Sequence, residues 1–401
     1  MAGALEGIRV LDLSTRPAAA WCSRLLADFG ADVVLVEPPA SALRQLAPFG
    51  PDGESITAAY LHANKRSVVF GGDSEAAREA VSDLAAQCEV VVENFTPGTT
   101  AGWLDLETLE ARRPGTILVS VTPNGQSGDR AGHPGNDLTA YALSGWASLN
   151  GLASREPLKG SGLIGSFVAG TAANGAAITA LLHRELQGGP GQQVDVSETE
   201  ALLSIFSAAF LHGQYVGVPF PRREANDVYG SFPVPVADGY LSLTIGFGDR
   251  WRHAMIALGL PELADDERWA TRPRAERDPE LAERIQARML EWDKMELFKS
   301  LAMMRVIAGP VFDMAELHQN EQLRDRDYFV RPPDAPDGPE YPGAPVKLAT
   351  TPWSLRRSPP APGEHTVEVL RDFVGYDDPQ IAALAPAGAL ENATGSVAGG
   401  D

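Results

Sequence analysis

Side chains able to do chemistry are sparse in this sequence, and the patterns they fail to form decide as much as those they form. Two cysteines, Cys22 and Cys88, and seven histidines are spread along 401 residues. They make no HExxH or CxxC pair, so a dedicated metal site has no support and none is expected. No serine sits in a G-x-S-x-G elbow, the sharp turn that would expose its hydroxyl as a nucleophile. Glu37 ends the second strand, where a dinucleotide fold places its ribose acid. The first strand-to-helix turn, however, reads STRPAAA. Without the glycines of G-x-G-x-x-G the backbone cannot approach a pyrophosphate, which argues against NAD or FAD. Cys22, on an apolar helix, reads as core.

The elements that must position any site alternate in type. Arg9–Leu13, Asp32–Glu37, Arg66–Phe70, Glu89–Glu93 and Thr116–Val121 are short runs of Val, Ile and Leu. Helical spacing separates them at Ala18–Phe29 and from Ser74 to about Gln87. Continuous apolar strands between helices predict a mainly parallel sheet covered on both faces. A helix of small residues runs from Phe167 to about Leu186, then a short strand in QQVDVS, then an apolar helix over 199–211. From about residue 222 the texture changes. A hairpin turning at Asp238-Gly239 spans 232–245, and helices follow at 249–258, 279–292 and 294–304. A Pro-rich connection covers 331–363, with a last short helix at 364–373. The division expected is a large α/β domain over 1–221, a small α+β domain over 222–327, an extended segment and helix over 328–382 and a disordered tail over 383–401.

Acidic residues outnumber basic ones 53 to 33, giving a formal charge of −20. That balance argues against a nucleic-acid partner, which needs a basic face. No stretch reads as a membrane span or a signal peptide, and so few cysteines fit a reducing cytoplasm.

Several segments, weak singly, are specific in their order. They are LEGIRVLDLS, LLADFGADVVLVEPP, NKRSVV, VVVENFTPG, GNDLTAYALSG, LLHREL with GPGQQVDVSE, VADGYLSL, PGAPVKL and GEHTVEVL. In these the chain resembles the family III (CaiB/BaiF) CoA-transferases, the group of formyl-CoA transferase, carnitine CoA-transferase and α-methylacyl-CoA racemase. The resemblance implies a Rossmann-like large domain over 1–221 that the segment 328–382 returns to, interlocked two-chain rings, and a ligand, coenzyme A, as thiol or thioester. It places CoA against Arg16, Pro17, Pro38, Phe70, Asn94 and Phe95, with Arg16, Arg44, Lys65 or Arg66 offsetting phosphate charge. Gly102 stands where relatives often carry an arginine.

The resemblance also implies a nucleophilic aspartate at the start of the small-residue helix, and here the register puts Ser166 in its place. A carboxylate can relay an acyl group through an anhydride that thiolate reopens; an alcohol gives a poor CoA acceptor. The racemase branch uses a histidine where this chain has Asn136, so family-style α-proton exchange is not expected. Asp137, beside it, is a candidate acid. Asp137, Asp195, Glu198 and Asp238 are the acids that remain as replacement nucleophiles, though in relatives such positions are mostly structural, and His365 reads as a capping or interface residue. A thioester carbonyl polarised by backbone N–H groups near Gly165 and Ser166 is a further expectation. Three readings stay open: a CoA-transferase acting on acyl-CoA and carboxylic acids as a homodimer, a non-catalytic subunit paired with an aspartate-bearing paralogue, and another acyl-CoA enzyme or CoA-binding regulator.

Overall fold

A computed structural model describes residues 3–70, 74–205, 207–222, 233–245, 248–266 and 279–384. The chain divides into two compact units. The first takes the chain up to Ala147, Lys159–Gly217 and the chain from Asp327 onward; the second takes Ser148–Leu158 and Val218–Arg326.

The first unit is built on six strands: β1 (Arg9–Asp12), β2 (Asp32–Glu37), β3 (Lys65–Val69), β4 (Val90–Glu93), β5 (Ile117–Thr122) and β6 (Gln192–Ser197). All pair in parallel, in the order β3-β2-β1-β4-β5-β6. The order reverses between β1 and β4. At such a switch point the loops leaving the carboxyl ends diverge and open a crevice, where open α/β sheets hold ligands.

Alternation along each strand sends neighbours to opposite faces. Val10, Val90, Val92, Ile117 and Val119 pack under two helices, α1 (Pro17–Asp28) and a 24-residue helix, Ile164–Gln187. Leu11, Val34, Val68, Val91 and Leu118 face the other way. There they meet helices Glu75–Ala85 and Leu106–Arg112 and the returning segment through Val369, Leu370, Ile381 and Leu384. Burial on both faces is the reason these strands are unbroken apolar runs. In chain order the helices between α1 and the long one are α2 (Ile56–His62), α3 (Glu75–Ala85), α4 (Leu106–Arg112) and α5 (Asp137–Leu143); the long helix is α6, followed by α7 (Glu198–Ser204) and α8 (Ser207–Val216).

By length and composition α6 could cross a membrane. Its Ala169, Ala173, Ala177 and Leu181 are instead packed into the sheet core. Its approach to α1 demands Gly170, where an added Cβ would lie 2.3 Å from the Ala18 carbonyl oxygen.

In the second unit, β7 (Val234–Val236), β8 (Gly239–Thr244) and β9 (Ile307–Pro310) form an antiparallel sheet. Asp238 in the hairpin turn accepts from the Lys294 N–H at 2.7 Å. Helices Asp249–Ala257, Pro279–Met289 and Lys294–Met303 pack around buried Trp251, Ile285, Leu297 and Leu301.

The long apolar helix expected over 199–211 is two helices, α7 and α8, with residue 206 outside the described residues. The last helix is a single turn, Thr366–Val369, continued as a π-helical turn at Leu370–Val374. A further helix, Asp378–Leu384, reaches into the stretch expected as tail, because Ile381 and Leu384 bury against the sheet. The remainder of that tail, and Phe232 of the expected hairpin, lie outside the described residues.

Candidate active site at the start of the long helix

Two loops meet at the switch point. Asn94, just beyond β4, accepts from the Thr15 N–H at 2.7 Å and donates to the Thr15 hydroxyl at 3.0 Å. This clamp fixes the loop after β1 and so the entry to α1. Pro17 occupies the first helical position, where its missing N–H costs nothing and its φ is already helical. Arg16, at the N-cap position, is thus held over the carboxyl ends of the strands.

Arg16 reaches Glu198, the residue that immediately follows β6, at 3.1 Å. Glu198 is 1% exposed while the Arg16 side chain is a quarter exposed. Beside them α6 begins. Ser166, third in α6 and buried, donates its backbone N–H to Asp137 Oδ1 at 2.7 Å. Asp137 Oδ2 lies 2.7 Å from Lys159 Nζ, an ion-pair contact too far off line for a hydrogen bond. A Cβ at Gly165 would sit 3.1 Å from Asp137 Oδ1, so the close seat of Asp137 against the helix start also calls for a small residue there.

The electrostatics single out Glu198. Burial pushes its carboxyl above the ordinary 4.5, and the nearby Asp137 charge adds to that; Arg16 and the Ser166 hydroxyl pull in the opposite direction. Glu198 Oε2 is buried without a hydrogen-bond partner. Such an oxygen costs stability unless something is to use it.

The structure brings Arg16, Asp137, Ser166 and Glu198 together and places the other expected site residues around them. Asn136 caps α5: its Oδ1 accepts from the Thr139 N–H, and Thr139 Oγ1 returns the bond to the Asn136 N–H. Asp137 therefore does not cap α5, as a structural role from sequence had it, but ties α5 to α6. Pro38 is exposed just past β2. Phe70 is buried in the core beyond β3, and Phe95 packs on that core with its ring centroid 6.4 Å from that of Trp103. Asp195 accepts from the Gln126 N–H at 3.0 Å. His365 Nδ1 accepts from the Ser67 N–H at 3.3 Å.

Three expectations are corrected. Lys65 does not face a phosphate: its ammonium is fully buried and donates to Asp12 Oδ2 at 2.7 Å, Ser23 Oγ at 2.9 Å and the Ala20 carbonyl at 3.0 Å. Arg66 reaches toward the amino end of β2, where it pairs with Asp32 at 2.5 Å and with Glu368 at 3.0 Å. A groove of about 490 Å³ at those amino ends is lined by Arg9, Asp32, Arg66, Arg356 and Glu368, and lies at the wrong end of the sheet for the switch point. The Ser166 N–H, expected to polarise a thioester carbonyl, already serves Asp137. Arg44 stays near the carboxyl end of β2 but holds Glu37 through two hydrogen bonds of 2.8 and 2.7 Å. Lys159 was not singled out from sequence, since nothing local marks its pairing with Asp137.

Residues 5–366 match the model of CoA-transferase family III. Succinate--glutarate CoA-transferase of Agrobacterium fabrum is 32% identical over 385 residues, covering 92% of this chain and 95% of its own. The Succinyl-CoA--L-malate CoA-transferase beta subunit of Chloroflexus aurantiacus is 30% identical over 395 residues, covering 95% and 96%. The crystal structure of a CAIB/BAIF family protein from Brucella suis superposes with a TM-score of 0.83 at 26% identity, over 93% of this chain and all of that one. The chain belongs to CoA-transferase family III.

Proposed function

We propose that this protein transfers coenzyme A between an acyl-CoA thioester and a free carboxylic acid, with dicarboxylic acids as the substrate class. The observation that carries the reading is the convergence of Arg16, Glu198, Ser166 and Asp137 beside the switch-point loops. A buried carboxylate next to a cation, at the end of the sheet where ligands bind, is equipped to exchange acyl groups. The names of the similar proteins favour succinyl-CoA as donor. CoA would lie along the Thr15–Asn94 clamp, with Arg16, Pro17, Pro38, Phe70, Asn94 and Phe95 as its surroundings. Ser166 occupies the place of the family aspartate, and Asn136 that of the racemase histidine.

A second reading is a non-catalytic subunit, favoured by one similar protein being named a beta subunit. A partner chain, identical or paralogous, is supported by exposed Leu182, Leu186, Phe210, Leu211 and Tyr215 along α6 and α8.

Mixing the purified chain with succinyl-CoA and a set of carboxylic acids tests both. New thioesters matched by released succinate are the expected result. Simple hydrolysis, or no change, overturns transfer by this chain alone. Activity that appears only on co-expression with an aspartate-bearing paralogue selects the subunit reading.

A further inference from the structure

We propose that the Glu198 carboxylate is the group that accepts the acyl fragment and then CoA in this chain, in place of a carboxylate at position 166. The inference rests on the CoA-transfer reading above. Two buried acids flank Ser166. Both Asp137 oxygens are engaged, one by the Ser166 N–H and one by Lys159. Glu198 has one oxygen on Arg16 and the other, Oε2, buried with no donor aimed at it. Asp137 Oδ2 likewise has no hydrogen bond, but the Lys159 ammonium lies against it, whereas among the described residues no cation or hydrogen bond is found at Glu198 Oε2. The position of Glu198 directly after β6 puts it at the carboxyl ends of the sheet, and the Ser166 hydroxyl is close enough to act on its charge. Glutamate is one methylene longer than aspartate, which suits a carboxylate reaching toward position 166 from α7.

The chemistry balances without an external reagent. A Glu198 oxygen attacks the thioester carbonyl, the C–S bond breaks, and CoA thiolate leaves behind a mixed anhydride. The thiolate then attacks the glutamyl carbonyl, giving a Glu198–CoA thioester and releasing the first carboxylic acid as its anion. A second carboxylate attacks that thioester, thiolate leaves again, and its return to the new acyl carbonyl yields the product thioester and free Glu198. Arg16 holds the non-attacking oxygen and offsets the negative charge that develops on it. The nearby Ser166 hydroxyl favours the ionised carboxylate.

The full-length protein is incubated with succinyl-CoA, treated with borohydride to reduce any enzyme-bound thioester, digested, and mapped by mass spectrometry, alongside succinate-exchange assays. Reduction at Glu198 is expected. Glu198→Gln should abolish it and slow exchange by roughly a thousandfold or more, while Ser166→Ala should slow exchange and leave the label that forms on Glu198. Because Glu198→Gln disturbs the Arg16 pair, the double variant Glu198→Gln/Ser166→Asp provides a folding-independent check: it should regain exchange, with the label at position 166. An active wild type labelled elsewhere, or an exchange-competent Glu198→Gln, overturns the assignment and leaves the transfer reading standing. A wild type that neither exchanges succinate nor carries a label overturns both.

Discussion

The Ser166 N–H donates to Asp137 Oδ1 across 2.7 Å, so the first residue of α5 closes the amino end of α6. The long helix has no side-chain cap of its own: Leu163 stands at the N-cap position. An acid from another helix satisfies one of the orphan donors and lies where the helix dipole favours negative charge. Its second oxygen has no hydrogen bond but is neutralised by Lys159, while Glu198 Oε2 is buried with no hydrogen-bond partner.

Asp137→Ala should therefore destabilise the first unit by about 2 kcal/mol, since it strands a buried N–H and leaves Lys159 unpaired. Asp137→Asn keeps the acceptor oxygen and should cost less. Urea unfolding of the two variants measures the difference.

Lys65 and Asp12, both fully buried, should be interdependent. Lys65→Met leaves Asp12 as an uncompensated buried charge and should cost roughly 3–5 kcal/mol. Adding Asp12→Leu should restore part of the loss. An additive double variant in denaturant unfolding would contradict the pairing.

Gly170 and Gly175 lie on the same helix and should respond oppositely to alanine. A Cβ at Gly170 collides with the Ala18 carbonyl, whereas one at Gly175 meets nothing within 4 Å. Gly170→Ala should destabilise by roughly 1–3 kcal/mol through overpacking. Gly175→Ala should be neutral or stabilising by up to about 1 kcal/mol through helix propensity. Thermal unfolding of both variants checks the contrast.

His62 is fully buried with neither ring nitrogen bonded, and burial holds its pKa well below the usual 6.5, with Lys65 and Arg44 adding to the effect. The unfolded chain thus binds a proton below pH 6.5 that the folded chain refuses. Stability from this site is present above 6.5 and is lost as pH falls, by up to about 1.4 kcal/mol per pH unit. His62→Leu should flatten that slope, read as the wild-type minus variant difference in unfolding free energy between pH 8 and pH 5. An unchanged difference would contradict the buried neutral ring.

The sheet was readable because its strands are covered on both faces, which writes each as an unbroken run such as DVVLVE. The Asn94 loop was readable as lying at the carboxyl end of a strand, since strand ends follow from strand limits. Lys65 was not: in NKRSVV it looks like part of a charged turn, and only the packing of α1 over β3 sinks it. Nor did the sequence set Glu198 apart from Asp137, Asp195 and Asp238. The Glu198 partner, Arg16, is 182 residues away in sequence, and in VDVSE the glutamate resembles an ordinary first-turn acid. Long-range pairs of this kind leave no local period or motif.

Exchange of isotopically labelled succinate into succinyl-CoA, with no second acid present, tests the carboxylate relay most directly, and its pH profile tests the group. A relay through Glu198 predicts exchange at a rate comparable to net transfer, falling on the acid side with an apparent pKa above 4.5, because the buried carboxyl must ionise before it attacks. Net transfer to a second acid without any succinate exchange would contradict a covalent relay on this chain.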